Sequence, residues 1–207
     1  MAITTSISSP ADLANNALVR LGFKLRVGSL LDGSDHAAHI LDVYSQTRDE
    51  MLRQFDYDFA SRTLTLTLLK SAPTGGYFPP NLWNPATMPP VGSLYEYAWP
   101  SDAIKIRSLK YTPMFVLNYD PQPTKFTEYN DNNYTPAQRT IVTNVPNAIA
   151  IYTGRVTDPT TWDVAFSDAF AARLATVIGP ALVGLEGTKM AMSVSPAERA
   201  ISEAEQR

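Results

Sequence analysis

The sequence predicts an α+β protein: a helical bundle formed by the N- and C-terminal helices, with an inserted antiparallel β domain. Three observations predict it. Apolar residues recur at helical spacing up to residue 60 and again after residue 157. Between them the period changes to two, and short candidate strands are separated by Pro, Asn and Asp turn signals. The helical stripes on either side of the β region have only each other to pack against. The expected boundaries are 1–60 and 157–207 for the bundle and 61–156 for the β domain.

Ser9-Pro10 is a helix start, with Ser as cap and Pro at the first helical position. Leu13, Ala17, Leu18 and Leu21 follow at helical spacing, and Gly22 closes the segment. Ser34 caps a second helix, whose stripe is Ala37, Ile40, Leu41, Tyr44, Met51, Leu52 and Phe55. Asp42, Arg48, Asp49 and Arg53 lie opposite, so the helix is amphipathic.

From Asp58 onward Leu64, Leu66 and Leu68 alternate with Thr63, Thr65 and Thr67, which predicts one half-buried strand. Residues 70–92 then carry Pro73, Pro79, Pro80, Pro85, Pro89 and Pro90, a density that sustains neither a helix nor a central strand. This stretch predicts a long excursion that exposes Tyr77, Phe78 and Trp83. Further strands are expected over 94–99, 103–111, 114–119, 125–129, 140–143 and 148–153. A long helix resumes near Thr160 or Thr161 with Phe166, Phe170, Leu174, Val177, Ile178, Ala181, Leu182 and Leu185 on one face, and Pro180 predicts a kink in it. Ser195-Pro196 caps a last helix.

Composition narrows the function. The chain has 207 residues, 44% hydrophobic and 18% charged, enough for a packed core. Its formal net charge of −3 argues against a protein that grips duplex phosphates. The absence of Cys removes disulfides, thiolate metal sites and cysteine nucleophiles. The polar stretch from Met1 to Pro10 does not read as a signal peptide, and the apolar run 174–185 is too short to span a bilayer. A soluble product with no membrane partner is expected.

Motifs of chemistry are sparse. His36 and His39 are three apart and flanked by Asp32, Asp35 and Asp42, but no third ligand is signalled, and a solvated helix start explains them better. There is no nucleophile elbow, and the glycines at 75–76 and 184–187 lack the phosphate-loop Lys. Glu50, Asp56 and Asp58 read as surface charges. Between Tyr77 and Trp99 the aromatics have no Lys or Arg among them, whereas a single-strand nucleic-acid platform requires both, so core and interface roles explain them better. No catalytic residue, metal site or cofactor is expected.

Several segments, taken in order, carry a likeness. They are Ala17 to Gly22, then 27–34, the run Arg48 to Arg53, and Phe55 to Arg62 leading into the Leu strand. Tyr95 to Ile104 follows, then Ile151 to Pro159 with Trp162 and Phe166, and finally Ala171 to Ala175. In this order and spacing the chain resembles the head-to-tail adaptors of podovirus-type phages, also called tail tubular protein A or packaged-DNA stabilisation proteins. One departure is Tyr57, where the family more often has Trp.

The resemblance implies a structural virion protein, not an enzyme, made in the host cytoplasm and found in the tail or neck. It implies a dodecameric ring between the portal protein and the tail nozzle protein, which encloses DNA without reading its sequence. The C-terminal segment 193–207 is then the portal-binding arm, with Ser195, Pro196, Arg199, Ile201, Glu203 and Arg207 as the expected contact residues. Tyr77, Phe78 and Trp83 are expected at the nozzle or a neighbouring subunit. The competing readings are a tail-associated peptidoglycan-degrading enzyme, for which no acid/base pair is signalled, and a generic binding module.

Overall fold

A computed structural model describes residues 9–24, 26–75, 82–111 and 124–183. The chain divides into two compact units, one made of segments 1–55 and 156–207 and the other of 56–155. Helices and antiparallel sheets are both present, so the protein is α+β.

In the first unit α1 spans Pro10–Arg20, α2 Asp35–Gln54 and α3 Val164–Val183. The Ser9 hydroxyl accepts from the Asp12 N–H, and Pro10 sits in the first turn, where no donor is needed. Ser34 caps α2 through the Ala37 N–H. At the end of α1 the Gly22 N–H bonds the Val19 carbonyl and the Phe23 N–H the Leu18 carbonyl. That closure needs left-handed backbone, and Gly22 supplies it with φ +84°. The following linker is pinned by Asn15, whose amide both donates to and accepts from the backbone of Val27, at 3.0 and 2.8 Å.

The third helix begins later than the sequence predicts. Asp158 caps a short 3-10 turn, Pro159–Thr161, through the Thr160 N–H. Trp162 then adopts extended backbone, and Asp163 caps α3 by accepting from the Ala165 N–H at 2.7 Å. The helix continues through Pro180 to Val183.

Helix α3 packs against α1 and α2. Leu13, Leu18, Ile40, Leu52, Phe170 and Leu174 are fully buried, and Leu21 and Phe166 nearly so. Tyr44, Trp162 and Phe166 surround Phe170 with ring centroids 5.0, 5.2 and 6.4 Å away. Two sequence assignments on α2 need correction. Leu41 is 42% exposed and stands outside the core. Arg48 is buried, because its guanidinium folds onto the neighbouring Asp49, with Nε donating at 2.9 Å. By length and composition α3 also suits a membrane span, with mean hydropathy 1.2 over Val164–Leu182. Here, however, one face packs in the unit's core while Asp168 and Arg173 pair with Arg20 and Glu50.

The second unit holds β1 (Ser61–Thr65), β2 (Leu68–Ser71), β3 (Tyr95–Ala98), β4 (Ala103–Lys110), β5 (Phe126–Asp131), β6 (Gln138–Thr143) and β7 (Ile149–Gly154). All pairings among them are antiparallel. One sheet has the order β1-β7-β4 and the other β2-β3-β6-β5. Leu66, Tyr97, Ile106, Leu109, Ile141, Ala150 and Tyr152 belong to its core.

The alternating Leu run is not one strand, as expected, but two in different sheets. The Leu66 N–H bonds the Ala148 carbonyl on one side of the switch, and the Thr67 carbonyl accepts from Ala98 on the other. Consequently Leu66 is buried while Leu64 and Leu68 are 45% and 50% exposed. The other expected strands within the described residues match β3 to β7 to within a few residues. The candidate strand 114–119 and the helix from Ser195 lie outside the described residues.

Candidate functional site

Two polar networks stand out in the β unit. The first centres on Asp102, in the turn between β3 and β4. One carboxylate oxygen accepts from Arg62 Nη1 at the start of β1, and the other accepts the Tyr152 hydroxyl of β7 at 3.0 Å. The Asp102 carbonyl accepts from the Arg155 N–H at 2.8 Å. Burial first, and then the hydrogen bond to Asp102, push the Tyr152 hydroxyl above its ordinary pKa. The Arg62 side chain lies across Gly154, which has no side chain to obstruct it. Arg62, Asp102 and the pair Tyr152 and Gly154 come from three separate segments, 55–62, 95–104 and 151–159.

The second network lies in the other sheet. Lys70 of β2, Glu96 of β3 and Asp131 of β5 are brought together although 61 residues separate Lys70 from Asp131. Lys70 donates to Asp131, sits 3.5 Å from Glu96 Oε2, and lies over the Tyr134 ring at 5.1 Å. It also donates to the Pro85 carbonyl at 2.9 Å. Asp131 Oδ1 accepts from the backbone and side-chain N–H groups of Asn133, at 2.9 and 2.6 Å. Glu96 and Asp131 are wholly buried.

Burial alone would raise the Asp131 pKa. Its bonds from Lys70 and Asn133 outweigh that and leave it lowered. For Lys70, burial works toward a lower value, and the Asp131 hydrogen bond with the Glu96 and Asp131 charges turns it upward. Glu96 is raised, chiefly by burial, with Thr140 and Lys70 opposing. A small open recess of about 10 Å³, room for one water, lies beside the cluster and is lined among others by Trp83, Pro85, Tyr129 and Asn133.

Of the portal- and nozzle-contact residues expected from the sequence, Trp83 alone falls within the described residues. It is 45% exposed, and its indole N–H bonds the Pro89 carbonyl at 2.9 Å. Segment 82–94 therefore braces itself and folds back over the Lys70 cluster, with Pro89 buried. Tyr77, Phe78, Ser195, Pro196, Arg199, Ile201, Glu203 and Arg207 lie outside the described residues. His36 packs edge-on against Phe23, and no metal-binding group of side chains forms among the described residues. Glu50 pairs with Arg173, and Asp56 with Lys105 and Arg107.

No motif in the sequence groups Lys70, Glu96 and Asp131. A signal for two of them was present: no Asp, Glu, Lys or Arg occurs between Lys70 and Glu96, so these charges bracket the excursion. A scan against protein-family models finds no match, and a search of curated proteins finds none of significance.

Proposed function

We propose that the chain is a structural virion subunit, the head-to-tail adaptor of a short-tailed bacteriophage. The observation that supports it is the ordered set of segments described above, three of which converge on Asp102. Residues far apart in the chain then have a shared reason for their identity: an acceptor, two donors to it, and a glycine that lets Arg62 cross. On this reading the helical unit is a bundle of N- and C-terminal helices, and the strands are an inserted β domain. Twelvefold repetition beneath the portal would extend the DNA channel and present a platform to the tail nozzle protein. The formal net charge of −3 suits a channel through which DNA must slide without adhering.

The test is mass photometry of the full chain alone and with purified portal protein. A ring of adaptor copies on the portal is expected. A chain that adds no mass to the portal at micromolar concentration is not an adaptor. A chain ended after Met192 should keep the melting temperature of the full chain and lose portal binding, since residues 193–207 are the proposed arm. Full binding by that shortened chain would move the anchor elsewhere.

A further inference from the structure

The Lys70 cluster places two carboxyl groups against one ammonium, with neither carboxyl exposed. Lys70 has three N–H donors. One goes to Asp131 and one to the Pro85 carbonyl. The third faces Glu96 Oε2 at 3.5 Å, an ion-pair separation too long for a hydrogen bond. Both Glu96 oxygens are enclosed and neither has a well-formed hydrogen bond, although the Thr140 side chain lies close enough to oppose the effect of burial. Two ionised carboxylates beside one ammonium would leave a buried negative charge uncompensated, which is strongly unfavourable. A neutral Glu96 removes that excess and leaves the Lys70 donors to Asp131 and Pro85.

We infer that Lys70 latches segment 82–94 through the Pro85 carbonyl, and that a proton on Glu96 sets the latch. When Glu96 ionises, its carboxylate draws the ammonium across the 3.5 Å gap, and the Pro85 carbonyl loses its donor. The segment's far end is fastened separately, by the Leu94 N–H to Asn144 Oδ1 and the Leu94 carbonyl to the Ala72 N–H, both 2.8 Å. It therefore loosens around Pro85 and stays tethered at Leu94. The charged groups acting on Glu96 are Lys70 from β2 and Asp131 from β5, with the Tyr134 hydroxyl acting on Lys70. Burial raises the Glu96 carboxyl, so its ionisation lies above the ordinary glutamate value of about 4.3. This inference does not rest on the adaptor reading.

Hydrogen exchange on the full chain tests it. The Ala86, Thr87 and Met88 amides all bond Asn84 within the segment, and they report its order. After correction for intrinsic rates, their protection should fall at least about tenfold as pH rises through the Glu96 ionisation. Carboxyl ¹³C shifts of labelled glutamate place that ionisation in the unmodified protein. Glu96→Gln, a fixed neutral side chain, should keep the segment protected across the range. Protection that does not change with pH overturns the latch, as does a Glu96 carboxyl ionised throughout. Should Glu96→Gln fail to fold, the coincidence of the ¹³C and exchange midpoints still decides: separate midpoints refute the coupling.

Discussion

The Arg62 side chain crosses Gly154 so closely that a methyl group on Gly154 would lie 2.5 Å from Arg62 Cδ. An alanine there displaces the guanidinium from Asp102. Two effects of similar size then oppose each other. The pair is partly exposed, so losing it costs no more than about 1 kcal/mol. Removing a glycine from a strand gains roughly 0.5–1 kcal/mol.

The first prediction follows from that balance. Gly154→Ala should be near neutral in the native sequence and stabilising in an Arg62→Ala background, where nothing obstructs the methyl group. Urea unfolding of the four proteins in the cycle measures the coupling. Equal stabilisation in both backgrounds would mean that Arg62 moves aside without losing Asp102.

In the helical unit, Phe170→Ala should cost about 3–5 kcal/mol, because Phe170 is fully buried among Tyr44, Trp162 and Phe166. Leu41→Ala, placed by sequence in the apolar stripe of α2 but 42% exposed, should cost under about 1 kcal/mol. Chemical denaturation of both variants compares them directly. Similar losses would show that Leu41 is covered in solution.

Lys70 and Asp131 should not be equivalent. Lys70→Met strands two buried carboxyl groups without a cation, a loss of about 3–5 kcal/mol. Asp131→Asn leaves Lys70 with Glu96, which can ionise to replace the lost partner, so its cost should be clearly smaller. Unfolding midpoints of the two variants at neutral pH test the order, and a costlier Asp131→Asn would reverse the argument.

The acid limb of stability should belong to Asp131. A carboxyl depressed on folding adds stability above its unfolded pKa of about 3.9, and that stability is lost as pH falls through the folded value. Glu96 has the opposite sign: raised on folding, it costs stability as pH rises from about 4.3 through its folded value. Asp131→Asn should flatten the decline below about pH 4, and Glu96→Gln the decline above it. Thermal melts across pH separate the two slopes.

Helix starts and stops were legible because they are local. Ser9, Gly22 and Ser34 each act on backbone groups within a few residues. The sheet switch at Leu66 was not legible, since alternation continues unbroken while the hydrogen-bond partners change from Ala148 to Ala98. Arg48 misled because amphipathic spacing assigns every charge to solvent, whereas a neighbouring Asp49 lets a guanidinium stay inside. The Lys70 cluster unites three strands through side chains, and only the uncharged interval between Lys70 and Glu96 hinted at it.

The strand order β1-β7-β4 carries a consequence for how the protein is made. The central strand of that sheet is the last of the described strands, and it pairs Ser61 with Thr153. During synthesis β1 and β4 leave the ribosome long before the strand that joins them, and α1 and α2 likewise precede α3. Closing such long intervals is slow, and unpaired edges are prone to wrong associations while they wait. Neither unit can complete its packing until the chain has passed about residue 150. A nascent chain shorter than this should be open to protease throughout, and resistance should rise in both units over the same late stretch of elongation.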